Sequence, residues 1–409
     1  MNEEDQTSDK PKLLEIFIVF LGLGLSSFGG PIAHLGFFNQ ELVMKRRWLD
    51  NQLFSELVAL CQFLPGPSSS QVGLSIGYIK GGFSGALVAW FGFTTPSAII
   101  LIFFGYIYVS YSDVIPFGII HGLKIFAVAI VAHAIWTMGL AFCKDIKCLL
   151  ITVAVGFSII LAPTPLFQFI AIIVSGIIGS LVFKISEVKL DGKFEYLVKI
   201  RFALTLLIIF ILLLFLLPIL VNFSANPLLS VIDSFYRAGS LVFGGGHVVL
   251  PLLQTEMVSS GFVSNEAFLA GYGAAQAMPG PLFTFAAYLG TVSGSYPNGV
   301  VGGLIALCAI FVPSFLLVIG ILPFWDELRK IIIFKKAIIG INAAVVGILI
   351  AAFYSPVATN GILSIHDFFA VLVLFTLIHF SKFPIWCLVL FASIECWIFN
   401  AVFINLVLS

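Results

Sequence analysis

The sequence predicts an all-α, polytopic membrane protein made of two homologous halves. Three observations lead to this prediction: the composition, the long apolar runs and an internal repeat. Of the 409 residues, 60% are hydrophobic and 10% are charged, whereas a soluble chain carries roughly a quarter charged residues. The run at 202–221 matches the length of about 20 apolar residues that a membrane-spanning helix needs. With a formal net charge of +0, no nucleic-acid partner is expected.

The internal repeat consists of motifs that recur in the same order at offsets of 214 to 217 residues. The matched pairs are FGGP at 28–31 with FGGG at 243–246, Glu41 with Glu256, Gln62 with Gln276, PGP at 65–67 with PGP at 279–281, and Pro96 with Pro313. A period of this length is too long for a solenoid. It is typical of the internal repeats of secondary transporters.

The charges of the loops predict that the two repeats are inverted in the membrane. The loop with Lys45, Arg46 and Arg47 corresponds to 256–265, which has no Lys or Arg. The loop at 110–116 has none, whereas its counterpart at 325–336 has four. Because basic loops stay on the cytoplasmic side, this exchange predicts opposite orientations for the two halves.

Each element can then be assigned in chain order. The predicted domains are a polar cytoplasmic tail (1–12), the first repeat (13–183), a basic cytoplasmic link with a connecting helix (184–224), and the second repeat (225–409). Broken or re-entrant hairpins are expected at 13–30, 53–80, 229–248 and 266–294. Full helices are expected at 84–109, 117–141, 149–162, 166–183, 202–221, 299–323, 337–354, 367–380 and 384–406. These assignments give about nine membrane crossings.

The two PGP motifs predict helix breaks that form an anion site. Proline disrupts the helix before it and is well placed at the start of a new one. A new helix would therefore begin at Pro67, and its positive N-terminal end suits an anion. The predicted ligands are Gly66, Ser68, Ser69, Ser70 and Gln71 in the first copy, and Gly280 and Thr284 in the second. The alternative is a proline-kinked helix without a ligand.

Further candidate ligands flank these breaks. The glycines Gly29, Gly30, Gly244 and Gly245 are predicted at the tips of the first hairpins, next to the PGP tips, or alternatively as close-packing positions. Gln62 and Gln276, just before each PGP, would donate to an anion or cap helix carbonyls.

Charged residues in apolar stretches supply the remaining candidates. Lys124 would neutralise an anion or extend its ammonium group to the interface. His34, His247 and Glu256 are candidates for carrying a coupling proton. Glu41 is expected to pair with Arg46 or Arg47, whereas Glu256 has no basic residue in its own loop.

These motifs resemble a known family. "GLSSFGGPIAHLGFFNQELV" and "LVALCQFLPGPSSSQVGLSIGY" in the first half, with "FGGGHVVLPLL" and "AGYGAAQAMPGPLFTFAAYLG" in the second, are similar to the chromate ion transporter family in its long, two-domain form. The resemblance implies export of chromate, or a similar tetrahedral oxyanion such as sulfate, across the cytoplasmic membrane. It also implies coupling to the proton-motive force or a counter-ion.

A passive oxyanion channel is the main alternative, since paired helix breaks also build channels. An enzyme is not expected, because no HExxH motif or recognisable nucleophile–base pair occurs. No cofactor or metal site is predicted. The expected partners are the oxyanion and the lipid bilayer, with a homodimer left open.

Overall fold

The computed structural model describes residues 11–111, 114–184, 198–224, 226–243, 249–328, 330–381 and 383–408. Gly244, Gly245 and His247 lie outside the described residues. The helices of the first half and the connecting helix are α1 (Leu13–Ser26), α2 (Gly30–Phe38), α3 (Asn51–Phe63), α4 (Ser68–Ser110), α5 (Phe117–Phe142), α6 (Ile146–Leu161), α7 (Pro165–Val182) and α8 (Ile200–Ser224). Those of the second half are α9 (Pro227–Leu241), α10 (Val249–Met257), α11 (Asn265–Gln276), α12 (Phe285–Val292), α13 (Gly299–Ile321), α14 (Trp325–Leu328), α15 (Ile332–Ala352), α16 (Thr359–Gly361), α17 (Ile365–Phe380) and α18 (Ile385–Leu408).

The helices begin where the sequence supplies capping groups. The side chains of Asp50, Asp145 and Ser264 accept hydrogen bonds from the third backbone N–H of α3, α6 and α11. Proline occupies the first position of α7 and α9, where its missing N–H costs nothing. Local sequence therefore fixes most of the helix starts.

Seven helices of the described residues are long and apolar enough to cross a membrane, which supports a multi-pass membrane protein. The 16-residue helices α6 and α17 are shorter but also apolar. Together these helices correspond to the crossings that the sequence predicts. In contrast, α1 has only 14 residues and α3 only 13, about 20 Å of helix against a hydrocarbon core of about 30 Å.

The order of elements is the same in the two halves. Helices α1 to α3 correspond to α9 to α11. Helix α4 bends sharply at Gly81 and Gly82, whose backbone is not helical, and its two arms correspond to α12 and α13. At each bend the arms touch through glycines, Gly77 with Gly85 and Gly290 with Gly302. The repeat seen in the sequence is therefore matched by equivalent contacts.

The structure confirms the break at PGP and corrects the first hairpin. Helix α3 ends at Phe63 and α4 begins at Ser68, as predicted. The first hairpin does not end at residue 30: α2 starts there and continues as a π-helical segment, Asn39–Lys45. The reason is that Pro31 sits in the first turn of α2, where proline starts a helix rather than ending one.

The two halves interlock through α5 and α15. Helix α5 packs against α18 of the other half so closely that a Cβ on Gly122 would overlap the carbonyl of Ala392. Helix α15 packs in the same way against α6 and α7. A Cβ on Gly340 would overlap the carbonyl of Ser175 in α7, and Thr152 Oγ1 of α6 donates a hydrogen bond to the carbonyl of Ala343 (2.9 Å). Each half therefore completes the helix packing of the other.

Loops that carry basic residues gather at one end of the bundle, called the basic face below. Arg46 pairs with Glu15 at the start of α1 (3.3 Å), and Trp325 Nε1 donates to Glu56 near the start of α3 (3.2 Å). A Cβ on Gly179 would meet the carbonyl of Lys336, so the C-terminal end of α7 also lies at the basic face. This clustering is what an inverted repeat requires; the orientation in the membrane stays a prediction.

Candidate functional site

The PGP loop of each half contacts the glycine break of the other half. The N–H of Gly66 donates to the carbonyl of Val242 (2.7 Å), one residue before the FGGG motif. The N–H of Gly280 donates to the carbonyl of Ser27 (2.8 Å), one residue before FGGP. These two hydrogen bonds are equivalent at offsets of 214 and 215 residues. Each PGP loop therefore contacts the residue just before a glycine motif, and the contacts cross between the halves.

Both PGP glycines have backbone conformations that other residues rarely adopt. Gly66 has φ 124° and Gly280 has φ 94°. This left-handed region is open to glycine without a Cβ penalty, and it turns each N–H towards the opposite half. The glycine between the prolines is therefore required by the crossed contact.

The N-terminus of α4 is buried beside this contact. Ser69 and Ser70 are 3% and 4% exposed. The first hydrogen bond of the helix runs from the N–H of Gln71 to the carbonyl of Pro67 (2.9 Å). The N–H groups of Ser68, Ser69 and Ser70 precede it and belong to the positive end of the helix dipole.

His34 contacts the N-terminus of α4, a contact that the sequence did not predict. Its ring is 1% exposed, and its Nδ1 lies 3.1 Å from Ser69 Oγ. The ring also packs edge-on against Phe93, with centroids 5.5 Å apart. The structure therefore brings a predicted coupling residue and a predicted anion ligand into direct contact.

Several buried polar atoms around the loops have no hydrogen-bond partner among the described residues. They are Ser27 Oγ, His34 Nε2, Ser70 Oγ, Gln71 Oε1, Thr94 Oγ1, Gln276 Nε2 and Ser314 Oγ. Leaving one such atom unsatisfied costs about 1–3 kcal/mol. Most of these atoms are hydroxyl or amide donors, so the site is chemically suited to a ligand that accepts hydrogen bonds from several directions.

Two of the predicted ligands use their donors within the protein. Gln71 Nε2 donates to the carbonyl of Pro65 (2.6 Å), which holds the PGP loop closed. Thr284 Oγ1 donates to the carbonyl of Pro281 (2.6 Å) at the start of the second half-helix. In this structure both side chains stabilise their loops.

Gln62 and Gln276 have different surroundings despite their equivalence in the repeat. Gln276 is half-buried, and its Nε2 is one of the unpaired donors. Gln62 is exposed on α3, on the helix face that also carries Ser55 and Ala59. The structure does not bring Gln62 into the buried cluster.

The ammonium group of Lys124 points away from the PGP loops. Its side chain is 2% exposed, and its Nζ is 3.3 Å from Glu266 Oε1 near the start of α11. Ten residues of helix, about 15 Å, separate Glu266 from Gln276 beside the second PGP loop. The prediction that Lys124 binds the anion at the half-helix ends is not met by this geometry.

The two matched glutamates are both ion-paired. Glu41 pairs with Arg46 at 2.9 Å, as predicted, and with Lys45 at 3.0 Å. Glu256 also has a cationic partner, because Arg237 of α9 lies 2.8 Å from it. The loop of Glu256 has no basic residue, as the sequence shows, and the cation comes from a different helix.

Two serines that the sequence analysis did not single out complete the contact. A Cβ on Gly66 would lie 2.9 Å from Ser314 Oγ, and one on Gly280 would lie 2.9 Å from Ser97 Oγ. Ser97 and Ser314 directly follow the matched prolines Pro96 and Pro313. The repeated dipeptide Pro-Ser was the signal that could have identified them.

The comparison with known families agrees with the motifs. The sequence pattern of the chromate transporter family matches residues 14–180 and 229–396, one stretch in each half. The chain belongs to the chromate transporter family. The matched stretches contain both PGP loops, Ser69, His34 and Ser97. The candidate site therefore lies within the part of the chain that defines the family.

Curated relatives cover most of the chain. An uncharacterised transporter of Methanocaldococcus jannaschii is 28% identical over 364 residues, 86% of each chain. A chromate transport protein of Pseudomonas aeruginosa is 26% identical over 82% of this chain and 79% of its own. A chromate transport protein of Cupriavidus metallidurans is 25% identical over 83% of this chain and 81% of its own. No solved structure matches the chain.

Proposed function

We propose that the protein is a secondary transporter that exports chromate, or a similar tetrahedral oxyanion such as sulfate, across the cytoplasmic membrane. The anion would bind where the PGP loops meet the glycine breaks, at the N-terminus of α4. Family membership supports a role in chromate transport, and it favours transport over catalysis.

One observation supports this proposal most directly: the buried start of α4 presents donors that the protein itself does not use. Ser70 Oγ is buried and unpaired, and the N–H groups of the first turn point along the positive end of the helix dipole. A tetrahedral dianion offers four acceptor oxygens and no donor, which complements a donor-rich site.

The inverted orientation would give this site two-sided access. In an inverted repeat, the two PGP loops reach the middle of the membrane from opposite faces, as transporter half-helices do. The crossed bonds from Gly66 and Gly280 are compatible with that arrangement. Irregular backbone at this depth is stable when it lines a site between packed helices.

We further propose that export is coupled to the proton-motive force or a counter-ion, with His34 as the coupling group beside the anion. Its Nδ1 contacts Ser69 Oγ, and its Nε2 is unpaired. A proton on this ring would add a positive charge next to a bound dianion, so occupancy of the two ligands would be linked. Glu256 remains a second candidate, because it shares Arg237 with Asp233, so that one arginine faces two carboxylates.

The decisive variant is Ser70→Ala, because Ser70 Oγ has no partner to lose within the described protein. The variant should keep the stability of the parent. It should weaken the apparent affinity for chromate by at least about tenfold, since a hydrogen bond to a charged group contributes about 1.5–3 kcal/mol. The measurement is chromate and sulfate flux into liposomes containing purified protein, with and without an imposed pH gradient or potential.

Ser180→Ala is the matched control, because the Ser180 hydroxyl is on α7 and donates only to the Ile177 carbonyl of its own helix (2.7 Å). Equal fluxes for parent, Ser70→Ala and Ser180→Ala would contradict the site. A flux that is the same with and without an imposed pH gradient or potential would indicate a passive channel instead. Absence of any oxyanion flux would refute the substrate class.

A further inference from the structure

Two equivalent helix pairs join the halves, but the helices pack closely in one pair and not in the other. One pair is α11 with α5, and the other is α3 with α15. Gly273 of α11 corresponds to Ala59 of α3, and Leu123 of α5 corresponds to Ile341 of α15. Identical halves in a symmetric state would show the same contact twice.

The α11–α5 pair is closed. A Cβ on Gly273 would overlap the carbonyl of Leu123, so the two backbones are in direct contact. The next residue on α5, Lys124, reaches across to Glu266 at 3.3 Å, and its ammonium group lies 5.7 Å from the centre of the Phe117 ring. This contact lies at the end of the bundle opposite the basic face.

The α3–α15 pair is separated by a cavity at the basic face. The cavity has a volume of about 390 Å³ and is lined by Gln52, Ser55, Glu56, Ala59 and Phe63 of α3, by Trp325 of α14 and by Lys335 of α15. At one end, the Phe63 ring contacts Phe334 of α15, with centroids 6.0 Å apart. Ala59 is exposed, whereas its counterpart Gly273 is buried. Gln62 is exposed one turn further along the same face of α3, just before the PGP loop.

The side chains that could close each pair also differ. Lys124 and Glu266 form an ion pair. Their counterparts at the basic face are Asn342 and Gln52, which are neutral amides. At these matched positions only the α11–α5 pair carries opposite charges, whereas the opposite charges of the other pair, Glu56 and Lys335, face the cavity.

We propose that Lys124 and Glu266 hold closed a gate between α11 and α5, and that the cavity between α3 and α15 is the path from the basic face to the anion site. Lys335 at the cavity would attract an anion, and Gln62 would continue the path to the PGP loop. Opening of one pair is linked to closing of the other. This inference rests on the proposed transport function.

The test is thiol accessibility of Ala59→Cys in the full-length chain reconstituted in liposomes. Labelling by a maleimide is compared with the parent chain, which corrects for its six native cysteines. Glu266→Gln removes the ion pair and should favour the state in which α11 and α5 part and α3 closes on α15. The labelling rate of Ala59→Cys should then fall, by at most about fivefold, because losing one partly exposed ion pair changes the equilibrium between the two states by about that factor.

Two further variants complete the experiment. The exchange Lys124→Glu with Glu266→Lys restores opposite charges and should restore the labelling rate. Glu327→Gln is the control, because it breaks an exposed ion pair with Lys330 (3.0 Å) at the basic face and should leave labelling unchanged. An unchanged rate in Glu266→Gln, or an exchange that fails to rescue, would overturn the gate.

The labelling measurement needs no substrate, so it is separable from the proposed function. A labelling shift without any oxyanion flux would support the gate and refute the substrate. Chromate flux together with an unchanged labelling rate in Glu266→Gln would support the proposed function and overturn the gate.

Discussion

Gly66 and Gly280 show how a single residue type determines the centre of this molecule. Each has positive φ, and each donates its N–H to a carbonyl of the opposite half. The flanking prolines end one helix and start the next, but only glycine allows the loop between them to turn towards its partner.

Gly66→Ala should therefore destabilise the protein strongly. A side chain at φ 124° costs about 1–3 kcal/mol in backbone strain. The new methyl group would also overlap Gln71 Nε2 and lie 2.9 Å from Ser314 Oγ. The measurement is the thermal unfolding midpoint of purified protein in detergent.

Gly22→Ala is the matched control, since that glycine lies within α1 and a Cβ there would meet nothing within 4 Å. Alanine in a helix interior is more favourable than glycine by about 1 kcal/mol, so this variant should be at least as stable as the parent. Similar midpoints for Gly66→Ala and Gly22→Ala would mean that the loop is not constrained as described.

At the scale of elements, the critical feature is the close approach of helices through small residues. Hydrophobic burial does not drive helices together inside a bilayer, so association depends on packing. Helix α5 illustrates this: Gly122 contacts the Ala392 backbone of α18, whereas Gly139 on the same helix has nothing within 4 Å.

Gly122→Val and Gly139→Val should therefore differ although they make the same change in the same helix. The first would force α18 away from α5, an overpacking effect of about 1–3 kcal/mol or more. The second replaces glycine by a residue of slightly higher helix propensity and should cost little. Expression level and unfolding midpoint in detergent measure the difference, and equal losses would contradict the packing of α5 on α18.

At the scale of the whole molecule, the interlocked halves and the single basic face favour an inverted repeat. Lys45 and Ser260 occupy matched positions in the two halves. Tyr111 directly follows the end of α4, and Lys330 follows shortly after the end of α14. Cysteines introduced at these four positions therefore report orientation.

A membrane-impermeant thiol reagent added to intact cells should modify Ser260→Cys and Tyr111→Cys. Lys45→Cys and Lys330→Cys should react only after the membrane is permeabilised, because basic loops stay inside. Lys45→Cys and Ser260→Cys reacting from the same side would show that the repeats are parallel, and would exclude the proposed two-sided access.

The sequence by itself determined the membrane class, the repeat, the helix breaks at PGP and the family. These follow from local chemistry: apolar length, proline and glycine placement, and repeated motifs within one stretch of chain. The ion pair of Glu41 with Arg46 was predictable for the same reason, since the partners are five residues apart.

Only the tertiary structure decided which distant residues meet. It placed His34 on Ser69, Arg237 on Glu256, Lys124 on Glu266, and each PGP loop on the opposite half. Sequence spacing carries no information on these pairs, because they depend on how the helices of one half pack against those of the other. The difference between the α11–α5 and α3–α15 pairs has the same origin: matched sequences give matched elements, but packing selects which pair is closed.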